Sequence, residues 1–162
     1  MRKRSLVTPD RDPFAATRAA PMLTTQLKPL FLLGDETIDR DHRGVLEGIQ
    51  AVIDSDNVAL PTVLRTLLVH TEQHFDRENE LMAKYRYRGL RDHKAEHALL
   101  LREFYRCVER VDGGFLSFGR TFVVERLVPW FEVHVPSMDC ALMLHVQKQL
   151  EHGTGLPSGL KT

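Results

Sequence analysis

Five histidines and two carboxylates stand at spacings that suit metal ligation: His42 alone, His74 with Glu78, His93 with His97, and His134 with Asp139. A spacing of four puts two side chains on one helix face about a turn apart, so His74 and Glu78, or His93 and His97, can meet at one centre. Seven such donors are too many for one ion and suit two. A thiol-free, imidazole-rich set fits iron, zinc or copper, and carboxylates able to bridge two ions favour a di-iron centre. The last pair is different. Residues five apart on a straight helix point about 140° from each other. His134 and Asp139 can share a centre only if the helix is overwound, bulged or kinked between them, or if the carboxylate reaches toward a second ion. Pro136 removes a backbone donor inside that interval, so local irregularity is expected there. Pro129, just before Trp130, predicts another bend.

Helical periodicity is strong in four places and strand signals are weak. A first helix is expected from Asp39 as N-cap, with His42, Val45, Leu46, Ile49, Val52 and Ile53 on one face. Asp54 to Asn57 reads as a turn. A second opens near Ala59 with Pro61 in its first turn and carries Val63, Leu64, Leu67, Leu68, His74, Phe75, Glu78, Leu81 and Met82. After a break around Gly89, a third carries His93, His97, Leu100, Leu101, Phe104, Val108 and Val111 and stops at Gly113-Gly114. A fourth, from about Ser117 to Leu150, points Phe122, Leu127, Trp130, Phe131, His134, Met138, Ala141 and Leu142 inward. Short links between long helices make neighbours antiparallel, so the expected fold is all-α, an up-down-up-down four-helix bundle over residues 29–152. Every candidate ligand then lies in an apolar stripe and is buried, where a carboxylate without a partner is costly and a metal ion offsets that cost.

The chain has 162 residues, 43% of them hydrophobic and 27% charged, with no net charge, which suits one soluble domain with a sizeable core. No apolar run approaches the roughly 18 residues that cross a bilayer. Residues 1–28 hold Arg2, Lys3, Arg4, Arg11, Arg18 and Lys28 against Asp10 and Asp12, a charge of +4, so the other 134 residues carry −4. An acidic domain without a basic stripe is a poor nucleic-acid binder. The basic segment reads as a disordered tail able to meet a protein partner, and residues 153–162 as a flexible end. Cys107 and Cys140 stand in no metal-binding spacing and read as buried free thiols of a cytoplasmic protein. His145 and His152 sit near the end of the last helix, where a partly protonated histidine favours the dipole, and are not counted as ligands.

The series Ile38-Asp39-x-x-His42, His74-Phe75-x-x-Glu78, His93-x-x-x-His97 and Trp130-Phe131-x-x-His134-x-x-x-x-Asp139 resembles bacterial hemerythrin over about residues 30 to 150. The resemblance implies two iron ions and dioxygen as ligand. One iron would take His93, His97 and His134. The other would take His42 and His74 and keep a position open for oxygen. Glu78 and Asp139 would bridge them with an oxo or hydroxo group, and Val45, Phe75, Trp130, Phe131 and Val135 would form an apolar oxygen pocket. Looser relatives end in His-x-x-x-Glu, so the His134–Asp139 spacing points to the oxygen-binding branch. Four positions depart from the pattern: Asn79 where glutamate is common, Arg88 where proline is common, a bulkier Phe131 where leucine is usual, and His70 one turn before His74. His70 reads either as a helix-face histidine bonded to a neighbour or as a base behind the ligands that tunes autoxidation. The expected function is non-enzymatic oxygen carriage, storage or delivery. The alternatives are a di-iron redox enzyme acting on oxygen, peroxide or nitric oxide, and a sensor read by a partner through the basic segment.

Overall fold

The first helix, α1 (Glu36–Asp54), is capped by Asp35, whose carboxylate accepts the Thr37 and Ile38 amides at 3.0 Å each. The expected cap, Asp39, lies one turn inside instead. It is buried because its two oxygens accept the Leu33 and Gly34 amides at 2.6 and 3.2 Å, folding the incoming chain back over the helix start. The computed structural model describes residues 32–153, so the expected tail 1–28 and residues 154–162 lie outside them, while Gly153 is the last helical residue.

Asp56 makes the first turn by accepting the Val58 and Ala59 amides at 3.0 and 2.8 Å. It delivers α2 (Leu60–Lys84), which starts with Pro61 in its first turn as expected. At the far end Tyr87 N–H donates to Met82 O and Arg86 N–H to Ala83 O, a Schellman closure with Arg86 at φ +51°. Helix α3 (Leu90–Asp112) closes the same way, with the left-handed position filled by Gly114.

The fourth helix spans 116–153 in five pieces: α4 (Leu116–Phe122), a π segment (Val123–Leu127), α5 (Val128–His134), a second π segment (Val135–Asp139) and α6 (Cys140–Gly153). Both irregularities expected from the prolines are present: one π segment precedes Pro129 and the other contains Pro136. A π turn holds an extra residue, so it rotates everything after it relative to a straight α-helix. That explains one correction. Ala141, expected inward, is exposed and Met138 only half-buried, while Leu142 is buried as expected and is joined by Met143 and Val146. Consecutive helices pack on one another, giving an antiparallel four-helix bundle, and no strand occurs among the described residues.

The core has two apolar parts. The larger includes Val45, Leu64, Phe75, Leu100, Phe104, Trp130, Phe131 and Val135. The smaller gathers Ile38, Met82, Leu142, Met143 and Val146 at the other end. His42 falls between Ile38 and Val45, Glu78 between Phe75 and Met82, and Asp139 between Val135 and Leu142, at the boundary of the two parts. The bundle thus closes a polar layer between two dry plugs. Cys107 is buried, and burial pushes its thiol up to about 12, whereas Cys140, expected buried, is only half so.

Candidate metal centre

Because the ligand-bearing stripes face one another at the same height, the seven side chains converge. All are buried, with at most 4% exposure at His134. They form two overlapping groups of donor atoms, each group lying within 4.8 Å: His93, His97 and His134 with Glu78 and Asp139, and His42 and His74 with the same two carboxylates. The second π segment is what lets Asp139 join His134. It turns the carboxylate back so that Oδ1 lies 3.1 Å from His134 Nε2.

The two carboxylates are divided between the groups. Glu78 Oε2 lies 3.2 Å from His97 Nε2 and 3.5 Å from His93 Nε2, while Oε1 faces His74 Nε2 at 3.8 Å. Asp139 Oδ1 lies 3.1 Å from both His93 and His134 Nε2, while Oδ2 faces His42 Nε2 at 3.3 Å. Each carboxylate therefore presents one oxygen to either histidine set. His134 Nε2 is 3.0 Å from the Nε2 atoms of both His97 and His93. Neighbouring ligands at right angles, each about 2.1 Å from a cation, stand about 3.0 Å apart, so this cluster has the size of a coordination shell.

The donor atoms fit a cation on a second ground. Both oxygens of Glu78, both of Asp139 and both ring nitrogens of His74 are buried with only the facing ligand side chains near them, and none of those contacts is well aligned as a hydrogen bond. An unsatisfied buried carboxylate costs several kcal/mol or about that order, and a shared cation removes the cost.

Without metal the histidines supply part of the compensation. Burial pushes the Glu78 carboxyl up, as does the Asp139 charge, but His74, His93 and His97 outweigh both and hold it below the ordinary value. Asp139 is held well below its ordinary value, the bonds to His134, His42 and His93 overcoming burial. His93 rises to about 9: burial opposes its charge, but Asp139 and Glu78 prevail. Burial takes His97 the other way, to about 4, despite Glu78, because His93 and His134 add positive charge nearby.

Aromatic rings fix two of the imidazoles. Phe75 lies flat on His97, with ring centroids 3.7 Å apart and planes 4° from parallel. Trp130 lies on His134 at 4.0 Å and 17°. Phe131 reaches the other group, 6.3 Å from His42 and 6.4 Å from His74. Val45, Phe75, Trp130, Phe131 and Val135, which the resemblance would make an oxygen pocket, are all buried in one apolar cluster.

The family model for the hemerythrin HHE cation binding domain matches residues 33–143, a span that holds all seven donors. The chain belongs to the hemerythrin family. No curated protein and no solved structure matches it.

In this hemerythrin-family chain His70 joins neither group of donors. Its Nε2 meets the backbone carbonyl of Asp41 at 3.0 Å, and its ring covers Gly44, where a Cβ would come within 2.4 Å of Nε2. Asp41 itself is a residue the sequence reading missed. It is 4% exposed, pairs with Arg77 Nε, and its Oδ2 stands 3.8 Å from His74 Nδ1. A signal was there: positions 38, 41, 42 and 45 share the buried stripe of α1, and a charged residue inside such a stripe needs a partner.

Proposed function

We propose that the chain is a non-haem di-iron protein that binds dioxygen reversibly, for carriage, storage or delivery. The observation that carries this reading is the division of Glu78 and Asp139, each with one oxygen toward His93, His97 and His134 and the other toward His42 and His74. His93, His97 and His134 would hold one iron and His42 and His74 the other, with the two carboxylates and an oxo or hydroxo group between them. When bound, the iron pair supplies the two electrons that reversible oxygen binding requires.

The protein's own part is selection and protection. The His42–His74 group has one donor fewer than the other group, which leaves room for a small ligand on that side. Phe75 and Phe131 beside His74, with Val45 and Val135, would keep that side apolar, so a small uncharged molecule is favoured over water or ions, while Trp130 packs behind them against His134. Neutral imidazoles outnumber carboxylates five to two, a donor set poorer in negative charge than oxidase-like, carboxylate-rich sites. That supports binding over turnover, and hence a non-enzymatic protein.

We assign residues 29–152 to this domain and residues 1–28 to a basic segment that can meet a protein partner. No described helix is long and apolar enough to cross a membrane, and two free thiols fit a reducing cytoplasm. The test is metal stoichiometry in variants. His74→Ala should lower iron from two per chain to about one and abolish oxygen binding; full oxygen binding in that variant would overturn the assignment.

A further inference from the structure

A groove of about 480 Å³ opens on the surface where α3 meets the fourth helix, lined by Asp92, Glu96, Glu125, Pro129, Trp130 and His134 among others. It reaches the metal layer. Among the candidate ligands His134 lines the groove; its side chain has 3% exposure, against 4% for His97 and none for His42, His74 and His93. Trp130, 8% exposed, lies flat against His134, whose Nε2 faces Asp139, His93 and His97. One indole and one imidazole therefore lead from solvent to the centre.

The groove meets the wrong side of the centre for a ligand to bind. His134 belongs to the group with five donors, not to the group of four beside Phe131. A molecule in the groove can exchange electrons through the stacked rings without coordinating. Tunnelling weakens steeply with distance, so a flat π contact that ends on a metal ligand is a short route. A ferrous oxygen binder also needs one, because it oxidises slowly and is useful again only after reduction.

The walls select charge. Asp92, Glu96 and Glu125 line the groove, and its cation, Arg126, is tied to Glu103 by Nε and Nη2 at 2.5 and 3.4 Å. The groove therefore presents negative charge beside an apolar lining of Trp130 and the exposed Pro129 and Val133.

We propose that a one-electron donor with a cationic face docks in this groove and reduces the ferric centre through Trp130 and His134. The proposal rests on the di-iron reading above. Each docking would oxidise the donor by one electron and lower one iron from ferric to ferrous; two would restore the diferrous pair, with one proton taken from solvent where a bridging oxo group becomes hydroxo. Trp130 and His134 conduct, and the three carboxylates position the donor.

The experiment compares two reductants of opposite charge on the ferric full-length protein: hexaammineruthenium(II), a cation, and dithionite, an anion. In Asp92→Asn/Glu125→Lys the cation's rate should fall about tenfold at low salt, with its salt dependence flattened, while dithionite does not slow. Iron content and the oxygenated spectrum should be unchanged. Trp130→Leu should slow the cation while keeping its salt dependence. Because Trp130 is the sole tryptophan, its fluorescence reports the groove directly: with each quencher scaled to its effect on free tryptophan, caesium should quench it better than iodide, and the charge variant should lose that preference. Equal effects on both reductants, or iodide quenching as well as caesium, would overturn the proposal. Iron per chain on the same sample separates a failed groove from a failed di-iron reading, since the quenching contrast needs no metal.

Discussion

Asp41 stands directly behind His74: its Oδ2 is 3.8 Å from the ring's Nδ1, while the ring's Nε2 faces Glu78 Oε1 at 3.8 Å. A carboxylate on the far nitrogen of a metal-bound histidine fixes its tautomer and raises its basicity. Asp41→Asn is therefore expected to weaken metal binding about 10–100-fold, measured by chelator competition. The same carboxyl sits at about 2, since burial, which pushes it up, is outweighed by the pairing with His74 and Arg77. A folded value below the ordinary 3.8 means its contribution is complete above about pH 4 and is lost as pH falls through about 2. Acid unfolding should show wild type exceeding Asp41→Asn by on the order of 2 kcal/mol at neutral pH and the gap closing toward pH 2.

Metal loading should release protons. In the metal-free protein His93 titrates at about 9, so it carries a proton at pH 7 that a metal ligand cannot keep. Uptake in weakly buffered solution is expected to release at least about one proton per chain at pH 7 and less as pH passes 9. Because this value is raised, the stability it gives the metal-free fold is complete below about pH 6.5 and is lost as pH rises through about 9.

Arg86 closes α2 at φ +51°, a conformation that glycine adopts without strain. Arg86→Gly should stabilise the fold by about 1 kcal/mol, raising Tm by roughly 2–4 °C, with metal content unchanged. Calorimetry on the metal-free protein checks it.

His70 and Gly44 form a lock between α1 and α2. Gly44→Ala would drive a methyl into the His70 ring and is expected to cost about 1–3 kcal/mol. Adding His70→Ala should recover much of that loss, because the clash and the bond to the Asp41 carbonyl involve the same ring. Additive losses in the double-mutant cycle would contradict the lock.

Much of this architecture is legible in the sequence. The ligand stripes, the starts of α2 and α3 and the irregularity at Pro136 follow from periodicity, proline chemistry and a five-residue spacing that a straight helix cannot satisfy. What escaped depends on tertiary contacts. Asp39 looked like a cap, yet its oxygens turn back to Leu33 and Gly34 while Asp35 takes the capping role. Ala141 looked buried because the rotation added by the second π segment cannot be counted from sequence alone. Asp41 and Arg77 lie 36 residues apart, and only the packing of α1 on α2 makes them partners behind His74.

The central claim is a pair of irons that takes up oxygen and gives it back. Its most direct test is iron per chain together with the ultraviolet–visible spectrum, cycled through reduced, oxygenated and argon-flushed states. About two irons are expected, with oxo-bridge absorption that rises under oxygen and disappears under argon. Irreversible oxidation with two irons would contradict oxygen carriage, and a chain without iron would return the seven buried residues to a structural role.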